Sequence, residues 1–504
     1  MFLRRFILAY IYFCLLSVCE AQNTDGNSTS VVADAVTDPP NQGWTSGPNG
    51  RGTTDIIYSC GITMFLCSWS VLCLNVPGPN DSQFRLFRRR IYVTALAFLG
   101  PEFLFQIALG QLISARNSVQ QFRDSIQKLP DSEKKNKEWT MTHAFYADMG
   151  GFRFHSKGCP QFPQGWPKFP VDAKQIHYLW TEGYIDFPAI TREEIRDKNK
   201  VDAVLRIFTI FQIVWFIVNM AGRRAQNLAI TCGELTTAAF IVCSFGTVLC
   251  WAHKPADVTT SVDIEAKATI AEIICKAGDR AAAPYTNTPL DFVSRKEWSW
   301  SIYWSNWINI LRCLGIVFGP QTRPVDRFEN TYSLELPGNT KWIFFGVTAA
   351  YSGIFVTGWN YSFPTHTELI LWQAAAGTMC ASLVAYWVVT EFGFVWWPSL
   401  ERKFRGNELD ASDIEKVSQP LSLVHPKRRQ KYKLEYAAAC VRNNTVSQDP
   451  QFNAPLKSIL PIYVIGVFYC HARTYLFVAD IIQLRSLPAS AYDTVDWSKF
   501  LPHF

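Results

Sequence analysis

Long uncharged runs separated by charged stretches dominate the pattern of this chain. Ile56–Leu74, Trp342–Phe363 and Leu369–Thr390 contain no charged residue. A helix of about 20 apolar residues, rising about 1.5 Å each, matches a hydrocarbon core about 30 Å thick. On that scale the pattern predicts eight spans: Asp55–Leu74, Ile91–Ile113, Ala203–Ala221, Leu228–Trp251, Trp298–Gly319, Trp342–Trp359, Leu369–Thr390 and Ser458–Ala479. Trp298–Gly319 is the weakest, with Trp298, Trp300, Trp304 and Trp307 at its start and Arg312 inside. The expected fold class is an all-α membrane protein, a polytopic bundle of seven or eight transmembrane helices with polar insertions. Within Ile91–Ile113 lies Gly100-Pro101-Glu102. Proline removes a backbone donor and clashes one turn back, so the stretch is expected to kink or break there, and it either spans or turns back.

The polar positions divide the rest. Residues 1–21 read as a signal peptide, with Arg4 and Arg5 before the apolar Phe6–Val18, and small Cys19 and Ala21 before a cut. A lumenal or extracellular linker, 22–54, follows, and Asn27-Ser28-Thr29 in it is a candidate glycosylation acceptor. Next come two membrane segments (55–113), a polar insertion large enough to fold (114–200), and a helix pair (201–252). Thr191 and Glu194 have capping-box spacing, for a helix expected to run on into Ala203–Ala221. A loop (253–297) carries an expected amphipathic helix at Asp263–Ala277. Membrane helices (298–397), a charged loop (398–456), a last membrane helix (457–484) and a tail (485–504) complete the order.

Charge adds orientation. The formal net charge is +6, and its basic residues cluster in loops, which suits topology rather than nucleic-acid binding. Eight spans counted from a lumenal N-terminus place Arg85–Arg90, Arg223/Arg224, Arg323/Arg327 and Lys427–Lys433 in the cytosol, and residues 114–200 outside. The expected location is a membrane of the secretory pathway, the plasma membrane or an endomembrane. The run Lys427–Lys433 could hold anionic lipid, at about 1 kcal/mol per basic residue near the surface. Most of the 14 cysteines fall in spans. Pairs such as Cys60/Cys67 are about 10 Å apart along one helix and cannot bridge. Cys159 and Cys275, both outside on this count, are the candidate disulfide.

Several short signatures, read together, resemble a large, mainly fungal family of uncharacterised multi-pass integral membrane proteins. They include Arg51-Gly52-Thr53 with Asp55-Ile56-Ile57, Pro101-Glu102, the stretch His143–Phe152, Lys254-Pro255 with Asp257, Phe363-Pro364 with Glu368 and Trp372, and Leu487-Pro488 with Trp497. The resemblance implies a membrane location and a helical architecture, and no activity.

Candidate chemistry rests on ionisable groups within spans. A charge at a helix centre costs about 2.5–3.5 kcal/mol on insertion scales, so it should face protein or water. Glu102, Glu234, Arg312, His471, Arg473 and Asp480 are the candidates. Arg473 and Asp480 stand two turns apart on one face, with His471 nearby. One reading is a hydrated pathway or coupling site for an ion or proton; the other is interhelical pairing. The eight histidines lack metal-ligand spacing, no Gly-x-Ser-x-Gly elbow occurs, and nothing marks a cofactor. His143–Phe152 reads as a packed turn. The chain is therefore expected to be a transporter- or channel-like bundle. The alternative is a non-enzymatic sensor or scaffold acting through residues 114–200 and the charged loop. Beyond the lipid bilayer, the sequence identifies no partner.

Overall fold

The structure is a computed structural model. It describes residues 41–47, 50–134, 137–156, 168–198, 203–282, 287–294, 309–310, 323–330, 338–396, 438–443 and 456–497, with isolated Tyr285, Leu336 and Glu435. In chain order its main elements are β1 (Asn41–Gln42), α1 (Thr53–Trp69), α2 (Gln83–Leu99), α3 (Pro101–Gln127), α4 (Met141–Asp148), β2 (Phe152–His155), β3 (Phe169–Val171), α5 (Ala173–Thr181), α6 (Arg192–Asp197), α7 (Ala203–Ala225), α8 (Cys232–Cys250), β4 (Val262–Glu265), α9 (Ile270–Ala277), α10 (Thr340–Thr357), α11 (His366–Thr390), α12 (Leu456–Ile482) and β5 (Leu487–Pro488). The signal segment, Asn27, Cys159, the stretch Trp298–Gly319 with Arg312, and Lys427–Lys433 lie outside the described residues.

Helix α8 forms the axis of a bundle, packed by α1, α3, α10 and α12. Its buried positions include Thr236, Thr237, Ala239, Cys243, Ser244 and Thr247. Small side chains let neighbouring backbones approach closely, and the hydroxyls bond carbonyls one turn back. Thr247 Oγ1, for instance, donates to Cys243 O at 2.9 Å. Cys60, Cys67, Cys232, Cys243 and Cys250 are buried and free, as packing residues should be. Among the described residues, three helices are long and apolar enough to cross a membrane: Cys232–Cys250, His366–Thr390 and Ile459–Arg485. A fourth apolar element is the pair α2–α3, bent by 111° at Gly100.

Contacts sort the helix ends into two groups. At one end, β1 pairs antiparallel with β5, so the linker and the tail are stitched together. Tyr492 donates its hydroxyl to Gly43 O at 2.7 Å, and Arg51 bonds Glu234 at 2.6 Å. Arg223 donates to the carbonyls of Ala229, Ser490, Ala491 and Asp493. Gln483 joins Cys232 N to Ser362 O, and Arg485 pairs with Glu368. We call this the clasp end. At the opposite end Arg90 bonds Asp257 (2.7 Å) and Trp69 O (3.4 Å), and Lys341 bonds Glu391 at 2.8 Å.

This arrangement corrects the expected alternation of sides. Arg51, before the first span, and Arg223, after the third, meet at the same end, whereas eight crossings would have separated them. The stretch Trp298–Gly319 is bracketed by Asn287 and Val325, which are joined by a backbone hydrogen bond of 2.9 Å.

The described part of residues 114–200 packs into a unit, and it is not purely helical. Strand β2 pairs antiparallel with β3 and parallel with β4, giving the order β3-β2-β4. The expected amphipathic helix at Asp263–Ala277 divides: Val262–Glu265 is strand, and helix begins only after Thr269, whose hydroxyl accepts from Glu272 N. The Thr191–Glu194 capping box is present, but its helix closes at Lys198 instead of continuing. Core packing centres on Phe122, whose ring stacks on Trp139 (4.0 Å) and Trp180 (5.6 Å). Because Phe122 belongs to α3, that one helix of 27 residues, about 40 Å long, ties bundle to unit. His143–Phe152 is a helix followed by a turn through Gly150 at φ +81°, a conformation glycine adopts without steric cost.

Candidate functional site at the bend of α2 and α3

From the end anchored by Arg90, α2 runs nine residues to Leu99, about 13 Å. From Glu102, α3 runs nine residues back to Gln111, which accepts from Trp251 Nε1 (3.0 Å) and Lys254 Nζ (2.9 Å) beyond the same end of α8. Both arms thus start and finish near the unit end, with the bend at Gly100 between them. Sequence makes the bend. Pro101 opens α3 at a position whose amide would have no intrahelical partner. Gly100 leaves room: a Cβ there would fall on the Phe103 ring and 3.2 Å from Glu102 Oε1.

A broken helix exposes two dipole ends, and each finds its complement. The first turn of α3 carries partial positive charge, and Glu102 sits in it. The last carbonyls of α2 carry partial negative charge, and Arg473 Nε of α12 donates to Leu99 O at 3.4 Å. Tyr469, one turn before Arg473, donates its hydroxyl to Glu102 Oε1. Four rings enclose the guanidinium: Phe477 at 4.4 Å, Phe240 at 5.1 Å, and Tyr351 and Phe355 at 5.5 Å. Ring faces attract the cation but offer poor acceptors to its N–H groups.

The site is consequently charged and incompletely bonded. Glu102 is 4% exposed and Arg473 3%. They interact electrostatically without forming a direct ion pair. Arg473 Nη1 and Nη2, Glu102 Oε2 and the Tyr351 hydroxyl are buried without a hydrogen-bond partner. Buried polar atoms are nearly always satisfied, so this cluster is a place where water or a ligand would find bonding partners.

Of the sequence candidates, Glu102 and Arg473 are brought together. Asp480 lies two turns along α12 and accepts from Thr236 at 3.0 Å. His471 is half-buried and donates to Val467 O at 2.7 Å, within its own helix, off the ring cage. Glu234 is not mid-span. Thr231 caps α8, which puts Glu234 in its first turn at the clasp end, bonded to Thr231 N (2.8 Å) and Arg51. Its role is to pin the linker. Cys275 is exposed, and its candidate partner Cys159 is not among the described residues. Sequence reasoning passed over Tyr469 and Tyr351. The i, i+4 spacing of Tyr469 to Arg473 was a usable signal for the first; nothing local marked the second.

A second polar knot joins bundle to unit. Asp148 accepts from Ser114 Oγ (2.8 Å) and Ala173 N (3.1 Å). Burial, aided by nearby Asp172, pushes its carboxyl up to about 7. A carboxyl raised in the folded state contributes stability that is present below about pH 4 and lost as pH rises through about 7. Melting temperature in detergent should therefore fall between pH 5 and 8, and Asp148→Asn should flatten that slope. An unchanged slope in the variant would assign the effect elsewhere. His143 does not join Asp148; it bonds Thr140 and Ile190 O, and burial lowers its basicity.

A sequence-family model described as a family of unknown function, DUF8562, matches residues 28–276 and 429–504. The chain belongs to that family. No curated protein and no solved structure shows a significant match. The matched segments of this DUF8562 member hold both arms of the bent pair, the folded unit and α12, and so Glu102, Tyr469 and Arg473; Tyr351 falls between them.

Proposed function

We propose that the protein is a multi-pass membrane protein with six crossings (α1, α7, α8, α10, α11 and α12) and one re-entrant pair, α2–α3. Its bundle moves a small charged solute or ion past Glu102 and Arg473. Lipid explains the outward faces. On α7, Ile207, Phe208, Phe211 and Val214 are 52–66% exposed, a patch that water would oppose. The basic stretch Arg85–Arg90 and the folded unit share one end, which makes that end cytosolic by the positive-inside bias. At the other end Arg51 and Arg223 share Glu234, and Arg485 pairs with Glu368. On this reading the linker bearing Asn27 is lumenal, and Cys159 and Cys275 are cytosolic and unbridged. Lys427–Lys433 also faces the cytosol, beside anionic lipid.

The observation that carries a transport reading is the re-entrant bend. It presents two half-helix ends, a carboxylate and a guanidinium at mid-depth, with unbonded polar atoms between them. Irregular backbone at that depth is tolerated where it is buried in protein or lines a hydrated cavity. The test is reconstitution in liposomes under separate gradients of H+, K+, Cl− and acetate. At least one gradient should collapse faster than in protein-free vesicles, and Glu102→Gln should change that rate by tenfold or more. Wild-type vesicles that match protein-free ones under every gradient overturn the transport reading.

One observation favours the scaffold alternative. The unit carries a groove of about 760 Å³ lined by Phe152, Phe187, Ile190 and Ile264 with Asp186 and Glu265. A partner that is lost when the groove is filled (Ile190→Trp), with all gradients unaffected, would move the function there.

A further inference from the structure

We infer that the bend binds a small monocarboxylate together with one proton, the anion on Arg473 and the proton on Glu102. This rests on the reading of the bend as the occupied site of the bundle. Three features converge. First, Nη1 and Nη2 of Arg473 are two donors on one planar fork, both buried and both without an acceptor. That fork matches the two oxygens of a carboxylate, bonded in parallel. The rings of Phe240, Tyr351, Phe355 and Phe477 hold the guanidinium and supply no competing acceptor. Tyr351 adds a buried hydroxyl beside Glu102.

Second, the charges do not permit an anion alone. Arg473 is already opposed by Glu102 and, two turns away, by Asp480. A second carboxylate beside Glu102 would place two like charges in one buried site, where both cannot stay ionised. A proton on Glu102 removes the conflict. It also turns Oε2, now an unbonded acceptor, into a donor toward the anion, while Oε1 keeps the hydroxyl of Tyr469. Anion and proton enter together, no covalent bond other than O–H forms, and the site's net charge is unchanged.

Third, the neighbours leave Glu102 as the proton's place. Facing it are Tyr469, Cys470 and Arg473 from α12, Tyr351 from α10 and Cys243 from α8. From α2 comes only the Leu99 carbonyl, on Arg473. Thiols and phenols ordinarily release protons at about 8.5 and 10, and guanidinium higher still, so none of them takes one up between pH 6 and 8. Asp480 is the other carboxyl, and its hydrogen bond from Thr236 holds it apart.

Calorimetry of sodium acetate binding to the full-length protein in nanodiscs tests this, in two buffers of different ionisation enthalpy. Wild type should take up one proton per acetate and lose about tenfold in affinity per pH unit between pH 6 and 8. Glu102→Gln should bind acetate with no proton uptake and no pH dependence, while Asp480→Asn should keep both. Arg473→Lys retains the charge but not the fork, and should weaken acetate at least tenfold. Acetate that binds wild type without a proton, or does not bind at all, overturns the inference. So does proton uptake that persists in Glu102→Gln. Acetate and proton bound without flux in vesicles would refute transport and leave this site standing; cation flux without acetate binding would do the reverse.

Discussion

Arg473→Leu lowers the stability of the bundle by about 3–5 kcal/mol, the usual cost of leaving a buried charge without its counter-charge. The guanidinium is the positive charge that faces Glu102 at the bend, and it also bonds the last carbonyl of α2. Leucine fills part of the ring cage but leaves the Glu102 carboxylate without a counter-charge, held by the Tyr469 hydroxyl and the first turn of α3. The Leu99 carbonyl loses its side-chain partner as well. Combining the change with Glu102→Gln should restore much of the loss, since no charge then stands alone. Melting of the four proteins in one detergent, taken as a double-mutant cycle, measures the coupling. Additive losses would mean that the two groups act independently and that the bend is not organised around their charges.

Parts of this site were legible in the sequence, for specific reasons. Gly100-Pro101 announces a break, because proline cannot continue a helix, and a charged residue in an apolar run announces a constrained environment. Glu102 and Arg473 were therefore visible singly. Their meeting across most of the chain was not, since hydropathy holds no record of which helices are neighbours. The same blindness explains the side assignment. A bent pair and a straight span have equal apolar length, and the return of Gln111 to Trp251 and Lys254 is a contact that hydropathy does not record.

Glu234 shows a different failure. The apolar run began at Leu228, which placed Glu234 well inside it; the helix begins at Cys232, because Thr231 caps it. A capping box, Thr231 with Glu234, was present in the sequence and outranked by hydropathy. The small sheet was hidden for another reason. Strands of three or four residues, with β4 contributed from beyond α8, carry too little alternation to register.

Gly151→Ala removes the folded unit's stability more severely than any ordinary glycine change. A Cβ at 151 would lie 2.5 Å from Cζ and 2.6 Å from Cδ1 and Cδ2 of Tyr146, in the middle of its ring. That ring has nowhere to go. It is fully buried, its hydroxyl donates to Thr260 O at 3.0 Å, and Phe152 packs edge-on at 5.1 Å. The glycine backbone is equally fixed, with its amide on Tyr146 O (2.8 Å) and its carbonyl accepting from Val262 N (2.7 Å) where β4 joins β2. Overpacking usually costs about 1–3 kcal/mol, through shifts of side chains and backbone; with both held here, the loss should reach or exceed the top of that range. Gly183→Ala is the control: its φ is +77° but its Cβ would meet open space, so only the left-handed strain of about 1–2 kcal/mol applies. Limited proteolysis of the unit should cut Gly151→Ala well before Gly183→Ala, while the bundle stays intact. Equal resistance in the two variants would show that the ring can yield, and that the contact between α4 and the sheet is looser than its geometry requires.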